Sequence, residues 1–195
     1  MGFFDFLNQI EPYAEDFPSV RRLNTRHKMI VEPLAAQIAG KSVLDLAAHD
    51  GRWAHAFAGA DAASVLGIEG RVELVERYAH YPQPDLKARV TLKVGDIFDG
   101  MEAEIAVGRT FDVIGVLGIF YHIMDHFRLL KLVHALRPEL VIIDSEFALR
   151  PGPVIALARE RVDNPLNAIA QVQGQEKTVI GIPSSRTKSR QWQYL

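Results

Sequence analysis

Five short apolar runs between residues 41 and 146 constrain the fold of this chain more than any other feature. Most are continuous stretches of Val, Ile and Leu rather than alternations of apolar and polar residues, a pattern typical of strands buried on both faces. The pattern therefore predicts a parallel sheet covered by helices. The predicted strands are Ser42–Leu46, Ser64–Glu69, Val90–Val94, Phe111–Leu117 and Leu140–Asp144.

Amphipathic segments separate these strands and predict crossover helices at Arg52–Ala60, Arg71–His80 and Asp125–Leu136. Glu15–Ile38 also has helical spacing, with expected breaks at Pro18 and Pro33. Successive β–α units predict an open, Rossmann-like α/β fold, with a mostly parallel sheet and helices on both faces, since the chain is too short for an α/β barrel.

The length of 195 residues predicts one domain. Residues 1–40 are expected to form a helical cap, residues 41–146 a cofactor-binding core, and residues 147–195 C-terminal strands and a tail. The strand candidates there are Pro151–Glu160 and Thr178–Ile182, as an edge or antiparallel pair. The tail has basic residues at Arg186, Lys188 and Arg190, with Trp192 and Tyr194; it either contacts RNA or is a solvated end.

Composition excludes several classes of function. Apolar residues make up 48% and charged residues 24%, as in soluble globular domains. The chain has no cysteine, which excludes a disulfide framework, a Cys-ligated zinc site, an iron–sulfur cluster and a thiol nucleophile. A net charge of -2 argues against nucleic-acid binding through overall charge. No secretory signal or membrane span is evident, so a cytoplasmic protein is expected.

The loop after the first strand, Asp45–Gly51, has features of a ligand-binding turn. Ligands of open α/β sheets bind beyond the carboxyl ends of the strands. The small residues Ala47 and Ala48 let a ligand approach the backbone, and Gly51 permits a tight turn into the next helix. His49 lies where the loop requires a positive φ, and His is among the residues enriched in that conformation.

Carboxylates close the next two strands. Glu69, followed by Gly70, is placed to accept hydrogen bonds from both hydroxyls of a ribose. Asp96 can accept from an exocyclic amine while the adjacent Ile97 packs against a flat ring. A carboxylate at a strand end is also a common helix cap, and Glu69 alone would fit an NAD site equally well. The succession of the three strand ends predicts an adenosine-containing ligand.

The strings VLDLAAHDGRW, GIEG, GDIFD and FDVIGVLGIFYHI occur in this order. They resemble the class I S-adenosylmethionine-dependent methyltransferases over about residues 22–146. The glycine-rich motif of that family, acid-x-Gly-x-Gly-x-Gly, is matched at Asp45 and Gly51, whereas Ala47 and His49 stand where glycines are usual. The loop LGIFYH resembles that of the subset that includes wobble-uridine tRNA carboxymethyltransferases.

The resemblance implies S-adenosylmethionine as the cofactor, S-adenosylhomocysteine as its product, and a binding set at the strand ends. In that set, the methionine part lies among Asp45, Ala47 and Gly51, the ribose at Glu69, the adenine at Asp96 and Ile97, and the sulfonium near the backbone of Leu117 and Gly118. Arg26 and His27 are expected either to reach the cofactor carboxylate, to cover the substrate, or to lie on the surface.

Methyl transfer from a sulfonium is an in-line displacement that needs a general base only for a poor nucleophile such as a hydroxyl. His122 is the candidate base and Tyr121 the candidate substrate-orienting residue. Alternatively, Phe120 and Tyr121 pack the loop and His122 caps the following helix. His122 and His126 have metal-ligand spacing, but a third ligand is missing, so no metal site is expected.

The sequence favours a methyltransferase acting on a small molecule. A tRNA-modifying methyltransferase and a non-catalytic cofactor-binding subunit are the alternatives. An NAD-dependent oxidoreductase is disfavoured because Gly-x-Gly-x-x-Gly is lacking after the first strand. The acceptor and the oligomeric state are not specified by the sequence.

Overall fold

A computed structural model describes residues 2–145 of the chain and shows a five-stranded sheet. Every neighbouring pair of strands is parallel, and the strand order is β3-β2-β1-β4-β5. The predicted open, parallel α/β fold is therefore confirmed, and only the fourth strand begins two residues later than predicted. The strands are β1 (Ser42–Leu46), β2 (Ser64–Glu69), β3 (Val90–Val94), β4 (Val113–Leu117) and β5 (Leu140–Asp144).

Two helices precede β1, and the other helices connect successive strands. The helices are α1 (Phe17–Ile30), α2 (Ala35–Ile38), α3 (Arg52–Gly59), α4 (Val72–Arg77), α5 (Pro84–Lys87), α6 (Ile97–Ala106) and α7 (His126–Ala135). Short 3₁₀ helices cover Asp5–Gln9, Glu32–Leu34, Tyr78–His80 and Phe120–His122. The three predicted crossover helices correspond to α3, α4 with the 3₁₀ helix that follows it, and α7.

Helix α6 was not predicted, because its interior glycine weakens the helical signal of the sequence. The structure gives that glycine a packing role. A Cβ atom at Gly100 would lie 2.6 Å from Cδ1 of Ile68, so the missing side chain allows α6 to approach β2 closely. Asp96 caps the helix at its N-terminus.

The expectation that Pro18 breaks a helix is wrong. Pro18 lies in the first turn of α1, where its missing N–H group costs no intrahelical hydrogen bond. Asp16 caps this turn by accepting a hydrogen bond from the backbone of Ser19. Pro33 lies beyond the end of α1, in agreement with the predicted break.

Burial differs between the centre and the edges of the sheet. Strands β1, β2 and β4 are almost entirely buried, as predicted. Among the described residues, β3 and β5 are largely exposed or half-buried. Within residues 2–145, the strand order explains the difference, because it places these two strands at the outer positions of the five.

The described residues fall into two units. Residues 2–117 and 127–144 form the first, which contains the whole sheet, and residues 118–126 with Ser145 belong to the second. The predicted C-terminal strands and the basic tail lie outside the described residues, and the single domain stays a prediction. No helix within residues 2–145 is long and apolar enough to cross a membrane.

Candidate functional site

The carboxyl ends of β1, β2 and β3 meet at one edge of the sheet in the first unit. β1 is central, with β2 on one side and β4 on the other, so the strand order reverses beside it. This reversal is the point at which open α/β sheets bind ligands. Backbone hydrogen bonds join the loops there: Ala48 donates to the carbonyl of Ile68 at 3.0 Å, and Gly95 to that of Glu69 at 2.9 Å.

The loop after β1 adopts left-handed backbone conformations at three positions. Gly51 has a φ of 78° and begins the turn into α3, and His49 has a φ of 57°, as predicted for both. Ala47 has a φ of 56°, which the sequence did not indicate. A left-handed residue with a side chain costs roughly 1–2 kcal/mol, so the loop is strained where the resembled family has glycine.

Glu69, the acid that ends β2, is buried and joined to the β1 loop. Its Oε2 accepts a hydrogen bond of 2.9 Å from the backbone amide of His49. Its Oε1 accepts from Arg71 twice, from the backbone amide at 3.1 Å and from Nε at 2.8 Å. Because each carboxylate oxygen has two lone pairs, this arrangement leaves one position, on Oε2, to which a hydroxyl group can donate. Gly70 is exposed beside it.

Asp96, the acid after β3, acts as the N-cap of α6. Its Oδ1 accepts from the backbone amides of Phe98 at 2.8 Å and Asp99 at 3.3 Å. Oδ1 of Asp96 therefore caps the helix, which is the alternative that the sequence left open. A contact of Asp96 with adenine stays a prediction. Ile97 begins the helix and is half-buried.

Asp45 lies beneath the loop and is only 1% exposed. Burial raises the pKa of Asp45 to about 8, and the negative charges of Glu69 and Asp50 add to this, while the amide of Ala54 and the charge of Arg52 oppose it. Oδ2 of Asp45 is buried without a hydrogen-bond partner among the described residues. The neutral acid is therefore the favoured form at neutral pH.

A hydrogen-bonded cluster that the sequence did not predict fixes the far end of the loop. Its members are Tyr13, His49, Asp50 and Arg52, which we call the loop cluster. Tyr13 donates to Oδ2 of Asp50 at 2.6 Å, and Nε of Arg52 donates to Oδ1 of Asp50 at 2.6 Å. The Arg52 guanidinium also contacts the Tyr13 hydroxyl and lies over its ring.

The charges of the loop cluster are complementary. Burial by itself would raise the pKa of Asp50, but the hydrogen bond with His49 and the charge of Arg52 overcome it and hold the pKa far below its usual range. Burial, with the neighbouring charge of Asp50, raises the pKa of the Tyr13 hydroxyl. Asp50 and Arg52 belong to the motif that the sequence singled out, whereas Tyr13 lies 37 residues away from Asp50 and carries no local signal.

Arg26 lies at the end of β5. Its Nε donates to Oδ2 of Asp144 at 2.9 Å, and its guanidinium lies 4.8 Å above the ring of Trp53. His27 is buried and stacks on Phe3, with ring centroids 4.6 Å apart, and burial lowers its pKa. The structure therefore places Arg26 in an ion pair and His27 in the aromatic core, and contact of Arg26 with a cofactor stays a prediction.

The predicted catalytic residues belong to the second unit. Gly118 has a φ of 77°, and Tyr121 and His122 follow in a 3₁₀ helix, with ring centroids 4.3 Å apart. His122 is exposed. His126 stacks on Phe120 at 4.4 Å and donates from Nε2 to its carbonyl oxygen at 2.9 Å.

Leu117 ends β4 in the first unit and is buried. Within residues 2–145, no three His, Asp or Glu side chains are grouped so that they could hold a metal ion.

No protein-family model matches the chain, and no curated protein matches it. Among solved structures, a Streptococcus mutans protein assigned as a SAM-dependent methyltransferase is 19% identical over 56% of this chain and 31% of that chain, with a TM-score of 0.45. A Pyrococcus horikoshii protein assigned as an RNA methyltransferase is 16% identical over 60% and 58%, with a TM-score of 0.49.

EvdMO1 is 27% identical over 57% of this chain and 26% of that chain, with a TM-score of 0.46. The chain thus spans less than two thirds of each of these proteins. All of these TM-scores are below 0.5. The strand pairing of the chain defines an open α/β protein, with polar residues at the ends of β1, β2 and β3, the edge at which sheets of this kind bind ligands.

Proposed function

We propose that the first unit binds S-adenosylmethionine and that the protein is a methyltransferase. One observation carries the proposal: the amide of His49, in the left-handed β1 loop, holds the buried carboxylate of Glu69 at 2.9 Å. This contact joins the turn that would receive the methionine part to the acid that would receive the ribose. The loop lacks the Gly-x-Gly-x-x-Gly of dinucleotide-binding folds, which favours this ligand over NAD.

The strand ends divide among the parts of the proposed cofactor. Ala47, Ala48 and Gly51 give the methionine part a close approach to the backbone, and Oε2 of Glu69 accepts a hydrogen bond from the ribose. Asp96 and Ile97, together with Gly70, border the adenine. Leu117, which ends β4 in the same unit, contributes backbone near the sulfonium, and Arg26 is the candidate partner of the cofactor carboxylate.

The charge of the edge suits this ligand. Asp45, Asp50 and Glu69 are buried acids, and the two arginines in contact with Asp50 and Glu69 each neutralise one of them. Within residues 2–145, no arginine or lysine forms an ion pair with Asp45, and its pKa is raised. A ligand that carries a sulfonium and an ammonium stabilises its carboxylate form, so we expect cofactor binding to release protons near pH 7.

When bound, the cofactor would supply an activated methyl group. The residues of the chain bind it, align it with an acceptor and exclude water. We assign the general base for a hydroxyl acceptor to His122, which is exposed in its 3₁₀ helix, and the orientation of the acceptor to Tyr121. The acceptor proposed first is a small molecule, and the location proposed is the cytoplasm.

A second acceptor class, tRNA, is favoured by the surface of α1. The helix contains basic residues and no acid, and Arg21, Arg22 and Lys28 are exposed on it. Such a surface suits a phosphate backbone. The test is binding of the full chain to tRNA. Binding that falls steeply with salt and is lost when Arg21 and Lys28 are changed to Glu would support this candidate. Binding that neither added salt nor these two changes affect would exclude it.

Glu69→Gln tests the proposed site, with Glu73→Gln as the matched control on the exposed face of α4. The amide keeps the shape of the side chain but replaces one acceptor oxygen with a donor. We expect the dissociation constant of S-adenosylhomocysteine, measured by calorimetry, to rise at least tenfold in Glu69→Gln and to stay within twofold in Glu73→Gln. Equal affinities of the wild type and Glu69→Gln would contradict the proposal.

A further inference from the structure

Asp144 ends β5 and is an acid to which the proposed cofactor site gives no role. Its register partner on the neighbouring strand is Leu117, which ends β4 in the same unit. Neighbouring strands lie about 5 Å apart, so Asp144 lies one strand spacing from the backbone that the proposed function places near the sulfonium. The cofactor is assigned to the ends of β1, β2, β3 and β4, and β5 lies on the other side of β4 from the first three.

The contacts of the Asp144 carboxylate hold one oxygen and leave the other available. Nε and Nη2 of Arg26 both donate to Oδ2, Nε at 2.9 Å. The guanidinium also lies 4.8 Å above the buried ring of Trp53 in α3, so its position is fixed from two sides. Within residues 2–145, Oδ1 of Asp144 makes no hydrogen bond, and a third of the side chain, 33%, is exposed. The carboxylate is therefore oriented and has an open acceptor oxygen.

The stability of the fold does not explain this ion pair. Both side chains are partly exposed, and exposed ion pairs contribute little to folding. The pair lies instead at the carboxyl ends of the strands, the edge at which open α/β sheets bind ligands, which favours a role in binding. Nη1 of Arg26 makes no hydrogen bond in the described part of the chain, so its proposed contact with the cofactor carboxylate is compatible with the intact pair.

The direction of methyl transfer places the acceptor on this side of β4. In an in-line displacement, the acceptor lies on the side of the methyl group opposite to the sulfur. A carboxylate there suits an amine, because an N–H group can donate to Oδ1 and because the nitrogen becomes positively charged as it takes the methyl group.

We propose that Asp144 faces the methyl group of the bound cofactor and that the acceptor is a primary or secondary amine, which donates a hydrogen bond to Oδ1. The nitrogen lone pair forms the new N–C bond while the C–S bond breaks, and the electron pair of that bond stays on the sulfur of S-adenosylhomocysteine. The methylated nitrogen is then cationic and releases its proton to water. The inference rests on the proposed function and names the acceptor class that this function leaves open.

Sinefungin and S-adenosylhomocysteine test the inference without a known acceptor. Both carry the adenosine and amino-acid parts of the cofactor, but sinefungin has a carbon bearing an ammonium group in place of the methylated sulfur. This ammonium group occupies the region of the methyl group, so a carboxylate that faces this region strengthens binding. We expect calorimetry on the full wild-type chain to give sinefungin a dissociation constant at least tenfold lower than that of S-adenosylhomocysteine.

Asp144→Asn should reduce this preference to within twofold, and Asp61→Asn, a change at an exposed acid, should keep it. The ratio of two affinities measured on one variant does not depend on how much of the protein is folded, and it cancels any contact that Arg26 makes with both ligands. No preference for sinefungin in the wild type, or an equal preference in Asp144→Asn, would overturn the inference. A wild-type protein that binds neither ligand would instead refute the proposed function itself.

Discussion

Asp45→Asn is the change whose effect on stability follows most directly from the structure. The amide has the shape of the protonated acid and is neutral at every pH, so it mimics the form that the buried site favours. In the wild type, burial and the nearby charges of Glu69 and Asp50 raise the pKa of Asp45 from 3.8 to about 8. The stability that the neutral acid contributes is therefore complete below pH 3.8 and is lost as the pH rises toward 8.

The magnitude follows from proton linkage. One proton bound by the folded state and not by the unfolded state changes the free energy of unfolding by up to about 1.4 kcal/mol per pH unit. Between pH 5 and pH 7, the wild type should therefore lose up to about 3 kcal/mol relative to Asp45→Asn. For a chain of this size, that corresponds to roughly 6–12 °C in the unfolding temperature.

Urea denaturation of both proteins at pH 5, 6 and 7 measures this difference. Asp50, whose pKa is held far below its usual range, stays ionised in both proteins between pH 5 and pH 7 and cancels when the two are subtracted. Asp61→Asn is the control, since the side chain of Asp61 is 82% exposed and pairs only loosely with Arg89 at 3.5 Å. A difference between Asp45→Asn and wild type that stays constant within about 0.5 kcal/mol over this range would refute the reasoning.

Three further predictions follow from the loop and its neighbours. Gly51→Ala should destabilise the fold by about 2–5 kcal/mol in urea denaturation, because a left-handed φ of 78° and a Cβ only 2.6 Å from Cδ2 of Tyr78 both oppose a side chain. Asp50→Asn should cost about 3–5 kcal/mol by the same measurement, since it leaves the charge of Arg52 buried and uncompensated; a loss below 1 kcal/mol would contradict this. His122→Ala should reduce turnover at least tenfold once an acceptor is known, with the affinity for S-adenosylhomocysteine unchanged, and unaltered turnover would exclude it as the base.

The sequence predicted the strands well because each is a short run rich in Val, Ile and Leu, residues that favour strands whether or not the strand is fully buried. β1, β2, β3 and β5 have the predicted bounds. The sequence did not predict α6, because tertiary packing there outweighs helix propensity. Gly100 lowers the propensity, yet α6 forms over Ile97–Ala106 because that glycine lets the helix approach Ile68. Pro18 was misjudged because the effect of a proline depends on its position within the helix.

The sequence predicted only those site residues that lie directly at the end of a strand, because their position follows from the strand assignment. The positive φ at His49 and the role of Gly51 followed from the motif. The contacts of Tyr13 with Asp50 and of Arg26 with Asp144 join residues that lie 37 and 118 positions apart, and no local pattern encodes such pairs. They depend on how the N-terminal segment packs on the sheet, which is a property of the tertiary structure.

Calorimetric titration of the full chain with S-adenosylmethionine, S-adenosylhomocysteine and NAD tests the central claim most directly. All three ligands contain adenosine, but the left-handed β1 loop lacks the dinucleotide fingerprint, and the proposed function assigns Glu69 to the ribose of S-adenosylmethionine. The account predicts that the first two bind with micromolar dissociation constants and that NAD does not bind. Binding of NAD in their place, or binding of none of the three, would contradict it.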